Sequence, residues 1–107
     1  MTLNEKLIMI RNCFAELGLP LSHYWHPVKN APLLMWSETG EEVFHADNRH
    51  GEMVINGVMD YYTLLEFDPA IDAIQAKLDD TMKTWSLDSV QYEDAMNLIH
   101  YSWSWVA

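Results

Sequence analysis

Five histidines, His23, His26, His45, His50 and His100, have the widest chemical repertoire in this chain. With Asp47 and Glu52 they offer donors for zinc. A zinc site needs three or four convergent donors, each oriented by a further hydrogen bond. His23 and His26 have workable spacing only on a helix or tight turn, and they sit among prolines. The chain has no paired Cys and no helical His pair with an intervening Glu. No metal or other cofactor is expected.

Glu41, Glu42, Glu52, Asp60 and Asp94 could be assembled into an acid–base pair. A chain with sixteen carboxylates offers such pairs by chance. Asp60 stands out because its strand neighbours are apolar; it reads as an exposed or salt-bridged strand residue, or as a contact between subunits. A Gly-rich phosphate loop, a nucleophile elbow and a Ser/His/Asp pattern are all missing. Cys13 is the sole cysteine, so an internal disulfide is ruled out and a reducing compartment is the default. Inside a predicted helix it reads as a packing residue. The expectation is a protein that is not an enzyme.

Six Lys and Arg against sixteen Asp and Glu give a formal charge of −10. A phosphate-backbone binder must supply cations to displace counterions, and this chain has few. The five tryptophans therefore read as core or interface packing rather than base-stacking platforms. The simplest use of the acidity is solubility. Two sharper uses are a surface that mimics DNA and a channel wall past which DNA slides without sticking. No basic leader precedes an apolar run, and no apolar segment reaches bilayer length, so a soluble intracellular protein is expected.

These side chains need elements to hold them, and 107 residues suffice for one domain, 1–107. Thr2 and Glu5 form a capping-box pattern, and Leu3, Leu7, Ile10, Phe14 and Leu17 follow at helical spacing. A helix over about 3 to 17 is expected, ending near Gly18, with Asn4, Lys6, Arg11, Asn12 and Glu16 facing water. Residues 19–32 hold Pro20, Pro27 and Pro32 and form a Pro-rich arm, packed on its own subunit or on a neighbour. Leu33 to Trp36 reads as a short strand, Ser37 to Gly40 as a turn, Val43 to His45 as the returning strand, and Gly51 as a bulge or bend.

Met53 to Leu65 is the longest strand pattern. Met53, Ile55, Met59 and Tyr61 share one face; Val54, Val58, Tyr62 and Leu64 share the other with Asn56 and Asp60. Both faces look largely apolar, so helices cover one and a partner is needed for the second. Asp68-Pro69 starts a second helix to about 83, with Ile71, Ile74, Leu78 and Met82 inward. Trp85 and Leu87 alternate in one phase and Val90 and Tyr92 in the other, which predicts a bulge near Asp88 or Ser89. Glu93 to Asn97 is a turn. Ile99, Tyr101, Trp103 and Trp105 then form one apolar face of a final strand.

The expected fold is α+β, in the order α-β-β-β-α-β-β. An antiparallel or mixed sheet of four to five strands carries two helices on one face. A small barrel with the helices outside is the alternative. The candidate interface is Tyr24, Trp25, Met53, Ile55, Met59, Asp60, Tyr61 and Tyr62.

Two stretches, Phe44 to Thr63 and Leu87 to Glu93 with Leu98 to Trp103, resemble small tail-completion or tail-terminator-like proteins of tailed phages and prophages. The resemblance runs from the first helix onward and departs at Gly51 and in the aromatic arm. It implies a sheet with two helices and a homo-oligomeric ring, commonly a hexamer, on the tail tube. Such a ring stops tube growth and meets the head connector. The partners implied are further copies of the chain, the major tail tube protein and the head–tail connector. Double-stranded DNA passes without specific binding, and no membrane is involved. The place implied is the virion, assembled in the bacterial host cytoplasm. The alternative is an acidic DNA-mimic module that inhibits a host DNA-binding protein. A small metal-dependent hydrolase is a weaker rival.

Overall fold

The Thr2 hydroxyl accepts the Glu5 amide at 3.1 Å, and the Glu5 carboxylate accepts the Thr2 amide at 2.8 Å. This closed capping box starts α1 (Leu3–Ala15). The computed structural model describes residues 1–42 and 53–107. There α1 is followed by β1 (Leu21–His23), β2 (Leu33–Glu42), β3 (Val54–Thr63), α2 (Pro69–Thr81), β4 (Thr84–Glu93) and β5 (Leu98–Val106). The strands form one sheet ordered β1-β2-β3-β5-β4. β1 runs parallel to β2, and every other pair is antiparallel. The fold is α+β, in the expected element order.

One strand of that order comes from an unexpected place. Ser37 to Gly40 is not a turn, because β2 runs through it with a register slip between Glu38 and Gly40. Thr39 is the extra residue of a bulge, a feature that needs the same permissive composition as a turn. The additional strand, β1, lies in the Pro-rich arm. Three residues on a sheet edge fit between Pro20 and Pro27, where a central strand could not. The expected strand at 43–45 and the bend at Gly51 lie outside the described residues. The second expected bulge is present: β4 slips between Leu87 and Ser89, which leaves Asp88 as the extra residue.

Both helices contribute to one core on one face of the sheet. Phe14 of α1 meets Trp36 of β2 and Trp105 of β5 edge-on, with ring centroids 5.6 and 5.9 Å apart. Ile10, Ile55, Met59, Tyr61, Ile74, Leu78 and Trp103 complete the centre. A buried tryptophan removes roughly 200 Å² from water, on the order of 5 kcal/mol gross. Trp36, Trp103 and Trp105 are all fully buried, so this layer outweighs any surface pair. Indole N–H groups also anchor α2: Trp103 Nε1 donates to Gln75 at 3.1 Å and Trp85 Nε1 to Asp79 at 3.0 Å.

Two positions of α1 depart from the expected wheel. Lys6 is buried in line with Ile10 and Phe14, its aliphatic stem covering apolar surface. Leu3, expected inward, is 46% exposed in the first turn. A larger departure concerns β3. Its Ile55, Gly57, Met59 and Tyr61 are buried as expected, with Thr63 beyond them, but the opposite face is only partly apolar. Register places Ser37 and Ser104 beside Val58, Ser102 beside Asp60, and His100 beside Tyr62. Serines flank Val58, but Leu33 and Met35 of β2 stand beside Tyr62 and Asp60. Met35, Val54 and Leu98 are at most 4% exposed, so this face mixes polar and apolar groups and part of it is covered.

Gly57 sits where a side chain cannot. A Cβ there would lie 2.1 Å from Cζ2 of Trp105, which is itself fully buried. Gly57→Ala is expected to cost about 1–3 kcal/mol through overpacking, read as a lower urea midpoint with an unchanged slope.

Asp68 joins α2 to the core. Its carboxylate accepts the Ala70 amide at 2.8 Å and the hydroxyls of Tyr61 and Thr63, each at 2.7 Å. Burial pushes this carboxyl up, but the bonds from Ala70, Thr63 and Tyr61 outweigh it and hold the group below its ordinary value. A depressed folded value stabilises the protein above the unfolded value of 3.8 and is lost as pH falls through the folded one. Asp68→Asn is expected to flatten the acid limb of a stability–pH profile. Asp68→Ala is expected to cost about 1–3 kcal/mol, because the buried Tyr61 hydroxyl loses its acceptor.

Candidate functional site

Three groupings are built by this fold: a polar cluster on the open sheet face, an aromatic clasp in the arm, and apolar side chains along the two sheet edges.

The polar cluster centres on Asp60. Its Oδ1 lies 2.8 Å from His100 Nε2 and accepts the Ser102 hydroxyl at 3.0 Å. Tyr62 stacks on the His100 ring at 4.1 Å. These are the residue types of an acyl-transfer triad in the wrong order. Ser102 donates to the carboxylate and not to the imidazole, so the Ser–His–Asp relay is not formed. The arrangement fixes side chains on a sheet face. Among the described residues, no three His, Cys, Asp or Glu converge as a metal site requires. His45, Asp47, His50 and Glu52 lie outside them.

The clasp holds the start of the arm against its own sheet. His23 stacks between Tyr24 at 3.8 Å and Trp36 at 3.9 Å. Its Nε2 lies 2.7 Å from Glu38 Oε1, and the Tyr24 hydroxyl donates to Glu38 Oε2. Tyr24 has φ 75°, a left-handed backbone that non-glycine residues seldom adopt, and these contacts secure it. Partial burial raises the Glu38 carboxyl, while hydrogen bonds from Tyr24 and His23 lower it further, for a net shift downward. The His26 amide then reaches Met35 Sδ at 3.1 Å. The arm packs on its own subunit here yet leaves Trp25 77% exposed.

The edges carry many of the exposed apolar groups, and Leu64, Leu65, Phe67 and Met96 in the connections carry others. Leu87, Val90 and Tyr92 of β4 pair with Trp103, Tyr101 and Ile99, so they point to the helix-bearing face. They are 43%, 52% and 59% exposed, although α2 reaches the start of β4 at Trp85. On the opposite edge Ile8 and Met9 of α1 are 48% and 43% exposed, Tyr24 lines one pocket with Ile8, and Trp25 follows Tyr24 in the arm. An open pocket of about 320 Å³ separates α1 from the arm, lined by Leu7, Ile8, Arg11, His23, Tyr24 and Trp36.

The eight expected interface residues divide. Tyr24 and Trp25 lie on the surface, and Asp60 and Tyr62 are half-buried on the polar face. Met53 packs at the margin of the core. Ile55, Met59 and Tyr61 are at most 2% exposed beneath the helices, so they have no surface to offer a partner. The β4 row was missed, although the Trp85/Leu87 to Val90/Tyr92 phase slip had marked all four as one face. Nothing in the sequence showed that Leu87, Val90 and Tyr92 would stay exposed.

No protein-family model matches the chain, and no curated protein matches it.

Glu38→Ala is expected to free the arm while leaving the core intact. Amide exchange at residues 21–26 should rise by about tenfold or more, with the rate in β5 unchanged.

Proposed function

We propose that this chain is a non-enzymatic structural subunit that closes into a homo-oligomeric ring. The observation that carries the reading is the pair of exposed apolar surfaces on opposite edges of one sheet: Leu87, Val90 and Tyr92 at β4, and Ile8, Met9, Tyr24 and Trp25 at α1 and the arm. Two unlike surfaces on opposite sides support head-to-tail contact, which generates a ring when the rotation closes. A two-fold dimer would need only one self-complementary patch.

Charge supports the same arrangement. Residues 66–97 of α2, β4 and their flanking turns carry eight acids and two lysines, whereas residues 1–32 of α1 and the arm carry two acids and three cations, of which Lys6 is buried. Copies therefore meet acidic side to less acidic side. The resemblance to tail-terminator-like proteins extends the reading to virion assembly. In that extension the ring caps a phage tail tube, joins it to the head connector, and passes DNA through an acidic lumen to which phosphates do not stick.

Two one-sided variants test the contact. Tyr92→Glu and Trp25→Glu are each expected to remain monomeric by light scattering. Mixed together they should form a one-to-one heterodimer through their intact edges and stop there. Wild-type rings should bind tail-tube ends in electron micrographs. A wild-type chain that stays monomeric both at high concentration and with tubes would overturn the reading.

A further inference from the structure

The helix-bearing face of the sheet has more floor than its two helices cover. α1 sits over Trp36 and Trp105, and α2 is pinned over Trp103 and Trp85 by Gln75 and Asp79. Beyond α2, Leu87, Val90 and Tyr92 continue the same face with no helix of this chain above them among the described residues. Their row extends towards Tyr101, the partner of Val90, which lines an open pocket of about 310 Å³ with Phe67, Ile71 and Asp72. The remaining walls of that pocket are Glu66 and Asp68, so its charged lining is wholly acidic. Phe67 stands 88% exposed at its rim.

We infer that this groove seats the outer face of α1 from the next copy of the chain, an inference that rests on the head-to-tail reading above. α1 has a second apolar stripe besides its buried one. Ile8 and Ala15, seven residues apart, share it with the exposed Arg11 and Asn12, while Met9 lies about 100° round the helix. Ile8 to Ala15 spans about 11 Å of helix at 1.5 Å per residue. Leu87 to Tyr92 spans about 15 Å of strand, so the stripe fits within the row. Arg11 is the cation within that outer face, and the groove offers Glu66 and Asp72 to receive it. A helix laid on exposed strands beside a resident helix is the packing this sheet already uses twice. The ring contact is then an intermolecular third helix, not an extension of the sheet.

Cysteine pairing tests the seat in the full-length chain. With Cys13→Ser as background, Ile8→Cys and Val90→Cys together are expected to yield a ladder of disulfide-linked dimers, trimers and larger species. Neither cysteine alone should exceed a minor dimer. Arg11→Glu is expected to weaken assembly by about tenfold, because it sets like charges against Asp72. Adding Asp72→Lys to Arg11→Glu should recover it. Circular dichroism of each variant separates misfolding from lost contact. If assembly persists but the ladder is absent and Arg11→Glu has no effect, the α1 seat is wrong while the ring reading stands. A strong dimer from Val90→Cys alone would mean β4 meets β4, which also overturns the seat. A wild-type chain that never assembles overturns both.

Discussion

Trp105 fills the volume that any side chain at position 57 would need, and the arrangement of the molecule follows from that contact. The indole can lie so close to β3 only because Gly57 presents bare backbone. Seated there, it meets Phe14, and Phe14 in turn meets Trp36, so one close approach sets the height of α1 above three strands. The core is a wedge of large rings, and the helices take their positions from it. Interiors packed this densely transmit small changes in volume, so the constraint reaches the edges as well as the centre.

Most of the elements were legible because local chemistry and burial agree in them. Thr2 with Glu5, Asp68 with Pro69, and the alternation of Ile99 to Trp105 each combine a boundary signal with the right period. The Asp88 bulge was legible because a phase slip in the apolar pattern has few other causes. What failed was reading that depended on neighbours. Ser37 to Gly40 has the composition of a turn, and only pairing with β3 shows it to be a bulge. The second face of β3 looked greasy in isolation, yet its surroundings come from alternate residues of β2 and β5. Lys6 defeats a simple wheel because its stem is apolar.

The residues expected at an interface and the apolar groups found at the surface are largely different sets. An excess of aromatic and aliphatic groups over what one small domain can bury pointed to partners. The structure buries the middle strand's inner face and leaves apolar groups exposed at the two margins and in the turns around Phe67 and Met96. Ile55, Met59 and Tyr61 are spent on the core, whereas Leu87, Val90, Tyr92, Ile8 and Trp25 remain outside. The Asp60, His100 and Ser102 cluster shows the same limit from the other side. Residue types associated with catalysis stand together there, and one hydrogen bond runs to the carboxylate where a triad would need the imidazole.

The extra residue at Asp88 has a consequence for how the margin at β4 behaves in a crowded solution. A straight ribbon arriving from another molecule would find its hydrogen-bond spacing interrupted halfway along, where two residues stand against one. Zipping would stall at that mismatch, as edge irregularities make it do. Asp88 also turns its carboxylate to Ser86 and Ser104 and so sets a fixed negative charge beside the interruption. The chain can thus expose Leu87, Val90 and Tyr92 to a shaped visitor while refusing indiscriminate fibre growth along the same border.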